Sequence, residues 1–289
     1  MTNKHNPLSA YFRAPKMYVQ IPSQGKFYSP SVVEMPENKE LPIFAMTAKD
    51  EMIMKNPDAL LNGEAVSQVL QSCIPNVKNA RKLLNCDVDV LLIAVQAASY
   101  GNDVEITSEC PKCKEEVVGV ADVELALDTM GTIQETYNIS YKDLTIVVRP
   151  FTYESTIQAG ITNFQSTRSL QGLAEVTDDL ERLRLFNDNF KQIAALNFTL
   201  IVDSVDAVSV SNNGETVIVD DRDQIREFLE NCDNSVGKAI ENKIAEINAI
   251  GLNHEMQMTC TNEKCKENDE PYLFTGKVNF DPVNFFTAS

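Results

Sequence analysis

The sequence predicts an α+β chain: small mixed sheets, a ribbon of two hairpins drawn from distant parts of the chain, and a mostly helical insertion between them. Three observations carry this. Two cysteine pairs, Cys110-Pro-Lys-Cys113 and Cys260-Thr-Asn-Glu-Lys-Cys265, each sit between short alternating segments. Apolar residues recur at helical spacing over 64–74, 87–100 and 173–200. Strand-like alternation is confined to brief runs bounded by Gly, Pro or Asn. At 289 residues and 43 % hydrophobic, the chain is long and apolar enough for one large or two modest domains rather than a disordered polymer.

Taken in order, residues 1–16 read as an irregular arm carrying Pro7 and Pro15. Met17 to Ile21 alternates as a strand, Ser23-Gln24-Gly25-Lys26 makes a turn, and Phe27-Tyr28 reads as the return strand. Leu41 to Met46 is a further strand. Thr47 then caps a short helix with Asp50 and Glu51 in its first turn, and Pro57 after Asn56 opens another. Residues 65, 66, 69, 70, 73 and 74 form an apolar stripe that Pro75 ends. Val77 to Leu84 adds a turn or two of helix. Asp87 is placed to cap a helix that runs to Tyr100 and closes on Gly101. Being apolar nearly all round, that helix is expected at the centre of the core.

Beyond the first cysteine hairpin, Ile139 to Val148 alternates up to Pro150, and Glu154 to Leu170 reads as a helix. From Leu173 to Leu200 the spacing suits one long helix with an apolar face on the core. A coiled coil is the weaker reading, because the pattern spans about four heptads and lacks a pairing code beside the seam. Ile201 to Val219 reads as a hairpin around Asn213-Gly214. Asp221 to Cys232 and Gly237 to Ile250 are two helices, capped near Asp220 or Asp221 and near Ser235. The expected parts are thus an arm (1–16), an α+β domain with the first cysteine hairpin (17–129), a mostly helical lobe (130–250), and the second hairpin with a tail (251–289).

The cysteines carry the chemistry. Val104-Glu105-Ile106-Thr107 and Val117-Val118-Gly119-Val120 flank the first pair. Met256-Gln257-Met258-Thr259 and Tyr272-Leu273-Phe274 flank the second. Four thiolates on two such knuckles suit one structural Zn²⁺, with Cys110, Cys113, Cys260 and Cys265 as ligands and the metal clamping the ends of the insertion together. A redox CxxC opens a helix after a strand, whereas Glu115-Glu116 and β-branched residues follow here. Buried, unligated thiols are the other reading. Cys73, Cys86 and Cys232 fall in apolar helical patterns and suit small core residues. Without an apolar signal segment near Met1, the seven cysteines are not expected to pair as disulfides.

Charge narrows the function. Forty-two acidic against 25 basic residues give a net −17, which repels nucleic acid and anionic membranes. Lys112, Lys114, Lys264 and Lys266 near the knuckles are outnumbered by Glu109, Glu115, Glu116, Glu263, Glu267, Asp269 and Glu270, so a zinc-ribbon nucleic-acid adaptor is a secondary reading. From Met1 to Val33 there is no acidic residue, while Lys4, Arg13, Lys16 and Lys26 are basic. Such an arm either docks on an acidic neighbour, another copy included, or is a plain tail. Only two histidines occur: His5 lies in the arm, and His254 suits a solvated loop better than a spare ligand. No HExxH, GxSxG or phosphate-loop motif is present, and no enzyme is expected. No uncharged apolar run reaches the ~18 residues of a spanning helix.

The order of these features resembles the baseplate hub protein family of T-even-like contractile-tailed bacteriophages. The run includes the strand and Gly25-Lys26 turn, the helix around Val66 to Ile74, Asp87-Val88-Asp89-Val90-Leu91-Leu92-Ile93, and Cys110-Pro-Lys-Cys113. It continues through Arg149-Pro150, Ile225-Arg226-Glu227-Phe228-Leu229, and a closing cysteine pair before Phe285-Phe286. The wider closing pair, in an acidic loop, and the basic arm depart from it. The resemblance implies a virion structural protein of the tail baseplate, made in the host cytoplasm and contacting other baseplate, tail-tube and hub proteins. A tail-assembly factor that leaves before the virion matures is the alternative.

Overall fold

The structure, a computed structural model, describes residues 8, 11–172, 178–212, 215–253, 255–266 and 270–277. It is α+β, with several small antiparallel sheets among helices. Strands β1 (Pro15–Val19) and β2 (Leu41–Phe44) pair antiparallel. The expected return strand at Phe27-Tyr28 does not form. Successive turns, with Gln24 N–H on Ile21 O (2.9 Å) and Lys26 N–H on Ser23 O (3.1 Å), carry the chain away, and Leu41 and Ile43 supply the buried alternation instead.

Helices α1 (Ala48–Met54), α2 (Pro57–Leu61), α3 (Glu64–Cys73) and α4 (Asn85–Tyr100) follow. Local chemistry starts the first two as expected. Thr47 and Asp50 form a reciprocal capping box, and Asn56 accepts from Asp58 and Ala59 N–H. Between α3 and α4 only a 3₁₀ turn, Ala80–Lys82, appears. Helix α4 is buried almost throughout from Cys86 to Ala97 and forms the axis of a core shared with α3, β1 and β2. It begins two residues before Asp87. That side chain is no cap: it is fully buried, accepts from Ser23 N–H (2.9 Å), and takes a short hydrogen bond from the Tyr28 hydroxyl.

Gly63 shows how tightly this core is closed. It caps α3 at φ +70°, and a Cβ there would lie 2.2 Å from Ile157 Cδ1 on the later helix α6 (Tyr153–Gly172). Gly63→Ala is expected to cost about 2–4 kcal/mol, from left-handed strain plus overpacking. An unchanged denaturant midpoint would refute that account.

Strands β3 (Asp103–Glu109) and β4 (Glu116–Asp122) form the first cysteine hairpin, followed by the short helix α5 (Val123–Asp128), which the pattern did not announce. The chain then builds a four-stranded antiparallel sheet in the order β5 (Tyr137–Tyr141), β6 (Leu144–Val148), β7 (Val205–Asn212), β8 (Glu215–Val219). Helix α7 (Asp179–Ser204) intervenes, and α8 (Arg222–Asn231) and α9 (Asn234–Asn248) follow. Asp221 caps α8; Asp233, not Ser235, caps α9. Residues 201–204, expected in the strand, complete α7, because Val202 is needed in the second core with Val148, Val205, Ile225, Ile240 and Ile244. Gly131 N–H donates to Gly251 O (2.9 Å), so the segment between them leaves and returns side by side. Last come β9 (Glu255–Cys260) and β10 (Tyr272–Lys277), the second cysteine hairpin.

The expectation that α7 lays its whole apolar face on the core is corrected. Its first half leaves Leu180 80 %, Leu183 58 % and Phe190 66 % exposed. The cysteines outside the ribbon behave as read: Cys73 and Cys86 are buried and Cys232 partly so. Within the arm, Arg13 donates to Ala45 O (2.6 Å) and Ser72 O (2.6 Å) and lies 3.5 Å from Asp50, which ties the arm's base to this chain. His5, His254, residues 173–177, the Asn213-Gly214 turn and residues 278–289 lie outside the described residues.

Candidate metal centre

Both cysteine pairs lie on strand ends. Cys110 follows β3, and a tight knuckle returns the chain to β4: Lys114 N–H bonds Cys110 O (2.9 Å), Cys110 N–H bonds Glu115 O (2.9 Å), and Lys114 takes the left-handed conformation at φ 63°. Cys260 ends β9. After two intervening residues, Glu263–Cys265 form a 3₁₀ turn, started by the Asn262 side chain accepting from Lys264 N–H (2.9 Å). That turn absorbs the extra length of the second pair and brings Cys265 back to the site.

The two hairpins pack on one another, β4 against β9 and β3 against β10. Gly276 permits the approach, since a Cβ there would meet Met258 Sδ at 2.4 Å and Ser108 Cβ at 3.0 Å. Cys110, Cys260, Cys265, Met258 and Phe274 form a small buried core, with Cys113, Val117 and Tyr272 beside it. All four sulfurs lie within 4.8 Å of one another. The Cys113–Cys260 and Cys110–Cys265 separations are 3.8 and 4.0 Å. A disulfide needs about 2.05 Å. A regular tetrahedron of sulfurs at ~2.3 Å from a central zinc has edges of ~3.8 Å. The donor set and its spacing therefore fit a closed, four-thiolate metal site.

The electrostatics point the same way. Burial opposes ionisation of Cys110, but the backbone N–H groups of Cys113 and Lys112, with neighbouring thiols, pull it down to about 7. Burial and the other three thiols push Cys265 up to about 12. Cys260 is raised as well: the Asn262 backbone N–H favours its thiolate, and burial with Cys110 and Cys113 outweighs that. One thiolate forms easily and opposes the next, a conflict that a bound dication removes.

Sequence reasoning located all four cysteines, and the structure brings all four together. It missed the groups that hold the knuckles in register. Asn262 Nδ2 donates to Glu115 Oε2 (2.6 Å) across the two hairpins, and the Lys112 ammonium lies 3.8 Å from the centre of the Tyr272 ring. Asn two residues after a cysteine, before Glu-Lys, is a turn-capping signal that could have flagged Asn262 as the start of the 3₁₀ turn, though not its bond to Glu115.

The family described as T4 bacteriophage base plate protein matches the chain over residues 27–280, a span that takes in both cysteine pairs and leaves the basic arm outside. No curated protein and no solved structure matches it.

Proposed function

The chain belongs to the T4 bacteriophage base plate protein family, and on that premise we propose that it serves in the central hub region of the tail baseplate as a structural component needed for tail assembly. The observation that carries the reading is the match over residues 27–280, which supports a structural role in a phage baseplate, with other baseplate proteins as partners and the virion tail as location. In the finer reading the neighbours are tail-tube and hub proteins. One Zn²⁺ on Cys110, Cys113, Cys260 and Cys265 staples the two hairpins, a reading supported by the sulfur spacing. No helix among the described residues is long and apolar enough to cross a membrane.

Quantitative mass spectrometry of purified particles and of assembly intermediates tests this. The chain is expected in both, at fixed stoichiometry to hub proteins. Presence in intermediates but absence from mature particles would replace the structural reading with that of an assembly factor.

The arm gives a second test. Tyr11 and Phe12 are 85 and 67 % exposed just before the Arg13 anchor. Deleting residues 1–12 keeps that anchor. It is expected to leave the protein folded and its metal content unchanged, yet to lower incorporation into baseplates several-fold. Normal incorporation of the truncated chain would mean that the arm is only a tail.

A further inference from the structure

Helix α7 carries one apolar stripe with two different fates. Beyond residue 197 the stripe is covered: Val202 is buried, with Phe198 and Ile201 packed beside it, in the second core where α7 meets α8 and α9. The same face continues toward the N-terminus through Leu180, Leu183, Phe190 and Ala194, with the polar Asn187 at its middle, at alternating spacings of three and four residues, and there all five are exposed. Asn189, whose amide donates to Ser166 O on α6 (3.1 Å), marks the side of α7 that faces its own hairpin partner, so the stripe lies on another side. Phe186, 50 % exposed, borders it. At roughly 200 Å² for a large side chain, Leu180, Leu183, Phe186 and Phe190 leave on the order of 500 Å² of apolar surface in one row. That is near the upper end of the largest patch on a typical monomer, ~300–600 Å², and more than half of the ~800 Å² each partner gives to a standard interface.

We propose that the exposed half of α7, from Leu180 to Ala194, is a self-association surface on which a second copy of this chain docks antiparallel through the same residues. Three features select this occupant. Spacing of three and four residues is that of a seam between packed helices, so the occupant is a helix. Most charges beside the stripe are paired within α7, Arg182 with Asp179 (2.5 Å) and Arg184 with Glu181 (3.7 Å) and Asp188 (3.8 Å), and Lys191 brings the acidic and basic residues of 179–191 to equal numbers. The row therefore presents little net field, although the chain as a whole carries −17, and it calls for an equally balanced helix, which α7 itself is.

The third feature is steric and sets the direction. Further along α7 this stripe is occupied by the chain's own α8 and α9. A parallel partner would drive its own second core into them, whereas an antiparallel one projects its core past the tip of the hairpin. A two-fold axis at Asn187 then sets Leu180 against the partner's Ala194 and leaves Leu183 one residue out of line with the partner's Phe190, large residues meeting small or staggered ones. The contact is isologous and closes on itself. The inference does not depend on the hub reading, because the dimer is a property of the isolated chain.

Sedimentation equilibrium of the full chain over a micromolar range tests it. The expected mass is twice 32.2 kDa. Leu183→Glu and Phe190→Glu alter exposed positions, so far-UV circular dichroism should stay unchanged while each raises the dissociation constant on the order of tenfold or more. A monomer at all concentrations, or a dimer indifferent to both changes, overturns the proposal. Direction is read with Leu180→Lys and Ala194→Glu: each alone weakens the dimer, and mixing the two restores it. Failure of the mixture to associate overturns the antiparallel arrangement.

Discussion

Cys110→Ser is expected to take the bound zinc from one ion per chain to a small fraction of one, and to free the two cysteine hairpins from each other. The four sulfurs lie within 4.8 Å of one another, so three remaining thiolates cannot complete a four-sulfur site. Zinc binding in small finger domains is worth about 10–16 kcal/mol and decides whether they fold at all. Here the consequence is more local. The two larger cores, around α4 and around the four-stranded sheet, are built from their own apolar residues and contain no ribbon cysteine. What a metal bound there would hold is the small cluster of Met258, Phe274, Val117 and Tyr272 between the hairpins. The expected outcome is a loss of a few kcal/mol, on the order of 5–10 °C in melting temperature. Hydrogen exchange should rise over 103–122 and 255–277, with helical circular dichroism retained. Cys73→Ser, in the core of α3, should keep its metal. Acid should mimic the ribbon variant, because protons compete with zinc for the thiolates. Full zinc occupancy in Cys110→Ser would sink the four-cysteine assignment.

What the sequence made legible follows from the range of the forces involved. Thr47, Asn56 and Asp221 were readable as caps because a cap is settled within four residues. The cysteine hairpins were readable because alternation and the Cys-Pro-Lys-Cys knuckle are equally local. The pairing of β1 was not. Whether Met17 to Val19 meets Phe27-Tyr28 or Leu41 to Phe44 depends on which partner reaches the core, and that is a tertiary contest. Helix α4 starts early for a similar reason. Asn85 N–H finds Phe151 O (2.9 Å) and Leu84 N–H finds the Tyr28 hydroxyl (2.8 Å), partners far away in the chain. Periodicity over 173–200 identified a helix but carried no information on what covers it: the residues of α7 that reach the core are Phe198, Ile201 and Val202, while Leu180, Leu183 and Phe190 stay bare. The Asn262–Glu115 bond across the ribbon links residues from opposite ends of the insertion, which no local pattern encodes.

Asp87→Ala is the second large effect expected, and its cause is polar. Asp87 is fully buried at the start of α4, where it accepts from Ser23 N–H and from Tyr28, whose hydroxyl in turn accepts from Leu84 N–H. One carboxylate thereby fixes the turn after β1 to the first turn of α4. Alanine leaves the Ser23 N–H and the Tyr28 hydroxyl without their acceptor in a place water does not reach, at a cost of about 2–5 kcal/mol. The same burial gives a pH signature. It pushes Asp87 up to about 6 from its ordinary 3.8, against the pull of the Ser23 and Tyr28 hydrogen bonds, and burial with the charge of Asp87 pushes Asp89 to about 7. A folded-state value above the unfolded one means that the folded chain holds its proton longer. The stability this gives is fully present below about pH 4 and is lost as pH rises through about 6. Between pH 5 and 8 the loss from Asp87 alone is about 1–2 kcal/mol. Asp87→Asn removes that titration while keeping an acceptor for Ser23 N–H. Denaturant unfolding of zinc-loaded protein at both pH values should therefore show a smaller fall in the asparagine variant than in the native chain. Parallel profiles for the two proteins would show that Asp87 stays charged in the folded state and that its burial is fully offset by its partners.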